Sequence, residues 1–370
     1  MGLFDLVVEK SALHPNFERI MNDPYKKKIL EGWSDQRIIN RDGNHKFVKE
    51  FQTTFNSSFW ELYCYNVLKE IGVEFNFSYE HPDFVVDYGG ETINIECTIA
   101  SNAKVDPDES DVYARFNENK SLNDIVYDQT IRLSNAFASK YKKYKEKYCK
   151  KEWVKNKPFI IAMEPFDQPH FMLTGSESIR LLLYGREIEH NSSLDFKIEK
   201  IQKSIETTLD MGVFLNPQYS DISGVLFSNT ATIGKVDAMG EDPGLTFGQI
   251  RYNLNYDRPQ ISVDSRLIQR KNDRRCKLIR ENFKQFENEY KKHTIRRPYI
   301  QWGVNYKENI FDGLMLFLNP YAKYPLPEIL INKLHNNGVN ISKYDFEKDE
   351  DVWSACDNSL IQRIVLNLKF

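Results

Sequence analysis

The chain has 370 residues, of which 41% are hydrophobic and 28% charged, and a formal net charge of −3. That length allows one large or two ordinary domains with a substantial buried core. A charge so close to zero provides no global field toward nucleic acid, so contacts of that kind must come from local patches.

Further classes fall away on composition. No run of 18 or more apolar residues is present that would span a bilayer. The start, Met1-Gly2-Leu3-Phe4-Asp5-Leu6, lacks the basic-then-apolar pattern of a signal peptide, and a cytoplasmic protein without membrane contact is expected. The cysteines, Cys64, Cys97, Cys149, Cys276 and Cys356, are scattered, odd in number and without a C-x-x-C pair, which argues against a disulfide scaffold and a zinc ribbon. The histidines form no H-E-x-x-H or His/Cys cluster, so a metal site here would be built from oxygen ligands.

Residues 1–52 form a polar N-terminal region with a basic Tyr25-Lys26-Lys27-Lys28 stretch and an Arg41-Asp42-Gly43-Asn44 turn signal, to which no chemistry is assigned. Asn56, Ser57 and Ser58 offer N-caps for a helix over 59–71, in which Trp60, Cys64, Val67, Leu68 and Ile71 recur at helical spacing before Gly72 ends it. A strand is expected near 73–77. A hairpin follows, with Asp83-Phe84-Val85-Val86-Asp87-Tyr88 and Glu91-Thr92-Ile93-Asn94-Ile95-Glu96-Cys97-Thr98 joined by Gly89-Gly90. After a polar loop, the pattern predicts a long helix over 122–148, a buried strand over 158–163, a helix over 198–209 and a strand over 222–228. Beyond residue 235 a charged helix over 265–292 and a strand over 312–318 are expected. The order suggests a mixed sheet covered by helices.

The hairpin carries the chemistry. A two-residue Gly-Gly loop pairs Tyr88 with Glu91 and places Asp83 directly opposite Glu96. Opposed side chains have Cβ atoms roughly 4.5–5.5 Å apart, and like charges at that distance destabilise the sheet unless a cation compensates. Alternation puts Asp83, Asn94, Glu96 and Thr98 on one face, while Phe84, Val86, Ile93, Ile95 and Cys97 form an apolar face for the core. Glu61 lies one turn into the preceding helix, where it can reach the same sheet edge, although Ser58-x-x-Glu61 also reads as a capping box.

A helix bearing Glu61, a hairpin with Pro82-Asp83, twelve intervening residues, Glu96-Cys97-Thr98 on an apolar strand, and a helix after it resemble the PD-(D/E)XK nuclease superfamily. The resemblance covers about 53–165 and extends toward 230. It implies an α/β protein with a restriction-endonuclease-like core over 53–235, a central mixed β-sheet flanked by helices, and a C-terminal α+β extension over 236–370. It implies hydrolysis of DNA phosphodiester bonds with Mg²⁺ or Mn²⁺, with RNA left open as a substrate and restriction or antiviral defence as a role by analogy. On this reading Glu61, Asp83, Glu96 and the Cys97 carbonyl are the metal ligands.

One position departs from the pattern. The superfamily's lysine would fall at position 98, and Thr98 supplies a hydroxyl but no positive charge. On the following helix Gln129 is the candidate supporting residue in catalysis beside Thr98, and Arg132 or Lys140 is a substitute cation that can also contact nucleic acid. Lys140 opens a stretch of lysines interleaved with Tyr141, Tyr144 and Tyr148, whose spacing also fits a packed tyrosine stripe with a solvated lysine face. Arg270, Lys271, Arg274 and Arg275 form a second basic run for phosphate contacts. Ser228-Asn229-Thr230-Ala231-Thr232-Ile233-Gly234-Lys235 lacks the phosphate-loop spacing, and its hydroxyls are expected to cap a turn. The alternative is a nuclease-like subunit without catalysis, which binds nucleic acid or assembles with a partner protein or a second copy as a homodimer.

Overall fold

Short apolar runs bounded by turn formers build a mixed sheet of eight strands, and the helices between those runs cover its two faces. The computed structural model describes residues 1–100, 122–166, 171, 174–188, 195–240, 242, 245–252, 260–263, 298–303 and 306–367. Among them no helix is long and apolar enough to cross a membrane.

Helices α1 (Pro15–Met21), α2 (Pro24–Trp33), α3 (Gln36–Asn40) and α4 (Lys46–Thr53) lead into α5 (Phe55–Ile71). Their starts follow from local chemistry: Asp23 accepts hydrogen bonds from the Tyr25 and Lys26 amides at 3.0 and 3.1 Å, and Asp35 does the same for Arg37 and Ile38. Phe4, Phe17, Phe51, Phe55 and Phe59 then pack ring against ring in sequence, which fixes the 1–52 region against α5.

The sheet begins with β1 (Glu74–Phe75), β2 (Phe84–Tyr88) and β3 (Glu91–Ile99), an antiparallel series. Gly89 and Gly90 turn the hairpin at φ +61° and +83°, where a side chain would be strained. The register has Tyr88 opposite Glu91 and Phe84 opposite Ile95, as the two-glycine loop demands. Helix α6 (Leu122–Glu146) crosses over to β4 (Phe159–Glu164), which lies parallel to β3. All six residues of β4 are buried. Ile160 and Ala162 face α5, and Phe159, Ile161 and Met163 face α6. The Trp60 indole donates to the Ala162 carbonyl at 3.0 Å and pins α5 across the sheet.

Helix α7 (Glu177–Tyr184) follows immediately after Gly175 and Ser176. The expected helix over 198–209 is instead a ribbon: β5 (Arg186–Ile188) pairs with β6 (Asp195–Lys197), and β7 (Lys200–Ser204) pairs with β8 (Thr207–Asp210). Threonines 207 and 208 and a single inward Ile201 suit a two-stranded ribbon better than a helix face. Strand β9 (Gly224–Ser228) then joins β4 in parallel, and Thr232 caps α8 (Ile233–Met239) by accepting from the Gly234 amide at 3.1 Å.

The segment after residue 236 contributes to two sheets. Strands β10 (Leu245–Tyr252), β11 (Gln260–Val263), β12 (Pro298–Gly303) and β16 (Leu360–Asn367) form a second sheet in the order β11-β12-β10-β16. Strands β13 (Leu314–Leu318), β14 (Asn340–Asp345) and β15 (Glu350–Ser354), with α9 (Glu328–Asn336) between the first two, continue the main sheet beyond β9. The strand expected over 312–318 is therefore an internal strand of the same sheet that carries the hairpin. The charged helix expected over 265–292 lies outside the described residues.

A buried ionic network ties the two sheets together. Lys235 on α8 donates to Glu308 at 2.9 Å, with both side chains fully buried, and Arg363 on β16 also pairs with Glu308. Arg251 on β10 bonds Asp312 at 2.7 Å, and Lys235 reaches the Asp312 carbonyl at 2.7 Å. Burial would raise the Glu308 pKa, but Arg363 and Lys235 pull it from the ordinary 4.5 down to about 2. Its contribution to stability is then present above about 4.5 and lost as the pH falls toward 2. Glu308→Ala should cost about 3–5 kcal/mol in urea unfolding because two buried cations lose their counter-ion, and Glu308→Gln should flatten the acid limb of the stability curve.

Candidate functional site

The hairpin register brings the two predicted acids together. Asp83 stands just before β2, one residue beyond the last registered pair of Phe84 with Ile95, and its Oδ2 accepts the Cys97 amide at 2.7 Å. The acid-bearing face is covered at its centre. Val85, Asn94 and Glu96 are all buried, with Glu96 only 1% exposed. The segment after α6 provides the cover. Asn94 donates to the Trp153 carbonyl at 3.2 Å, the Trp153 indole donates to the His81 carbonyl at 2.9 Å, and Tyr79 stacks on Trp153 at 4.1 Å between ring centroids.

A buried carboxylate at this depth needs counter-charge, and α6 delivers it. Lys140 and Lys143, one turn apart, place their Nζ atoms 2.7 and 3.0 Å from Glu96 Oε1, and the Tyr148 hydroxyl donates to the same oxygen at 3.3 Å. Glu96 Oε2 is buried without a hydrogen-bond partner. Burial raises the Glu96 pKa, but the two lysines outweigh it and hold the carboxyl below its usual range. Asp83 goes the other way. Burial, then the neighbouring Glu61 and Glu96 charges, push it well above the ordinary carboxylate value.

Glu61 does not serve as an N-cap partner. Helix α5 starts at Phe55, four residues earlier than Phe59, so Ser58 and Glu61 both lie inside it. The Glu61 carboxylate forms an ion pair with Arg41 instead, and Arg41 Nε also bonds Asp42 at 3.2 Å. The guanidinium rests over the Phe47 and Phe84 rings at 5.1 and 5.6 Å. Burial raises the Glu61 pKa more than Arg41 lowers it. Arg41, Lys46, Glu50, Glu61, His81 and Asp83 line a cleft of about 190 Å³ that opens beside the acid pair.

The other predicted residues are distributed as follows. Among the described residues the Thr98 hydroxyl makes only a long 3.5 Å contact to the Ile99 carbonyl. The Cys97 amide is spent on Asp83, and its thiol is buried with a pKa raised by that burial. Gln129 is buried on α6 and accepts from Thr174, and no bond among the described residues joins it to Asp83 or Glu96. No ion pair among them joins Arg132 to either acid. Arg270, Lys271, Arg274 and Arg275 lie outside the described residues. Tyr141, Tyr144 and Tyr148 pack in the core as the stripe suggested, while Lys140 and Lys143 turn toward the sheet. Among the described residues no group of three or more His, Cys, Asp or Glu side chains is placed to hold a metal ion.

Sequence reasoning missed Arg41, Lys143 and Tyr148. Arg41 reads as part of a turn, and only the fold places it against α5. Lys143 was accessible in principle, since it shares a helix face with Lys140. No family model, curated protein or solved structure matches this chain.

Two measurements follow from the opposed titrations. A raised Asp83 pKa means the folded state loses stability as pH rises above the unfolded value. Asp83→Asn, which keeps an acceptor for Cys97, should therefore raise the melting temperature at about pH 8, and the gain should vanish near pH 4. Replacing Lys140 and Lys143 together by Met should move the Glu96 pKa from below to above the ordinary carboxylate range, read by carbon-13 shifts of its carboxyl.

Proposed function

We propose that the chain is a metal-dependent nuclease with a PD-(D/E)XK-like core, in which Lys140 supplies the positive charge missing at Thr98. The observation that carries this reading is the Lys140 ammonium at 2.7 Å from the buried Glu96 carboxylate, beside Asp83, in a chain ordered α5-β1-β2-β3-α6-β4. The same order, helix, three antiparallel strands, helix and parallel strand, is what the resemblance implies.

The donor set suits a hard divalent cation. Mg²⁺ needs only one or two carboxylates plus water and substrate oxygens, so a three-residue cage is not required. Glu96 Oε2 is a buried oxygen with no partner, and Asp83 is a carboxyl whose ionisation is held back by burial and then by its acidic neighbours. Both features favour a cation there. When bound, Mg²⁺ or Mn²⁺ would stabilise charge on the phosphoryl group and make water a better nucleophile.

The chain's own residues would then divide the work. Asp83, locked by the Cys97 amide, and Glu96 would hold the cation. Lys140 would neutralise charge that develops on the phosphoryl oxygens, and Lys143 with Tyr148 would keep Glu96 in place when Lys140 shifts toward substrate. The walls formed by Trp153 and Tyr79 would limit water around the reacting group.

A second reading has its own support. Glu96 Oε1 already accepts three donors, a neutralised state that needs no metal, which suits a nucleic-acid-binding scaffold that does not cut. Incubation with plasmid and with single-stranded DNA and RNA in Mg²⁺ or Mn²⁺ separates the two. The nuclease reading expects metal-dependent cleavage that falls at least about 100-fold in Asp83→Ala, Glu96→Ala and Lys140→Met. Cleavage retained by both acid variants would remove the site. Gel retardation without cleavage, weakening with salt, would favour the scaffold.

A further inference from the structure

The residues around Glu61 form an arrangement that the proposed nuclease site does not use. The Glu61 and Glu96 charges both act on Asp83, and Asp83 bonds the amide of Cys97, the residue after Glu96. Glu61 is held by Arg41, whose side chain is 8% exposed and is fixed by Asp42 and by the faces of Phe47 and Phe84. Arg41 Nη1 is buried with no partner, and Arg41, Glu61 and Asp83 all line the same cleft. A univalent organic cation thus sits against Glu61 and Asp42 in a cleft that Asp83 also lines, with one donor left over.

We propose that Arg41 is a positioning residue that holds Glu61 apart from the Asp83/Glu96 pair, so that Glu61 joins them only when a divalent cation takes the guanidinium's place. The inference rests on the metal-binding reading above. Exchange of one positive charge for two is favourable beside partly buried carboxylates, and the unpartnered Oε2 of Glu96 gives the incoming ion a ligand that Arg41 does not occupy. The N-terminal region, which carries no recognisable chemistry in sequence, thereby sets how tightly the site takes its metal.

Mn²⁺ titration calorimetry on the full chain separates this claim from the one beneath it. Arg41→Gln should bind Mn²⁺ about tenfold more tightly than wild type, the scale of outer-shell effects on metal affinity. Adding Glu61→Gln should abolish the gain, and Asp83→Asn should weaken binding in both backgrounds. A merely structural Arg41 would leave affinity unchanged or lower it. If Asp83→Asn abolishes wild-type binding but Arg41→Gln gives no gain, or gives one that survives Glu61→Gln, the metal site stands and the role of Arg41 is overturned. If no variant binds Mn²⁺, or Asp83→Asn binds as wild type does, the metal site itself fails and takes this proposal with it. Should circular dichroism show Arg41→Gln unfolded, Arg41→Lys keeps one charge but cannot bridge Glu61 and Asp42. A gain of a few fold in Arg41→Lys that depends on Glu61 would then support the positioning role, and no gain would overturn it.

Discussion

Glu96 is the constraint around which the site is organised. A carboxylate with 1% exposure on an interior strand must be neutralised or must stay protonated, because removing an ion from water costs several kcal/mol. Two lysines on α6 and a tyrosine just beyond it meet that demand at one oxygen. The position of α6 over β3, the cover provided by Trp153 and the depressed pKa of Glu96 belong to one arrangement. The second oxygen and the neighbouring Asp83 carboxyl remain uncompensated. Stability and chemistry diverge at that point: the lysine side closes the fold, and the acid side remains electrostatically unfinished.

The same logic applies at a distance. The Lys235, Glu308 and Arg363 network between the two sheets is also fully buried, but there every formal charge named has a partner within bonding distance. Such a network suits a structural fastening. The acid cluster by Asp83 differs because burial and the Glu61 and Glu96 charges together raise the Asp83 pKa. Perturbed carboxyls beside a cleft are the usual physical mark of a functional site.

Much of this was legible in the chain. The Gly89-Gly90 turn dictated the register from Tyr88/Glu91 to Phe84/Ile95, and short apolar runs marked β4, β9 and β13, because turn geometry and side-chain period are local properties. Lys140 was legible as a cation on the side of α6 that meets the hairpin, where it bonds Glu96. The Arg41 contact was not, since it depends on how α3 and α4 pack against α5. The place of β13 in the main sheet depends on pairing with β9 across more than 80 residues, which no local pattern encodes. The ribbon of β7 and β8 resembles a helix in sequence because a few apolar residues in a polar run satisfy either period.

The central claim is that the Asp83/Glu96 pair is a cation site held in a partly protonated state. Proton release on Mg²⁺ binding tests it most directly, measured by calorimetry near pH 6 in two buffers of different ionisation enthalpy. Wild type should release a proton on binding, and Asp83→Asn should release none. Mg²⁺ binding by wild type with no proton release, or with the same release in Asp83→Asn, would contradict the account.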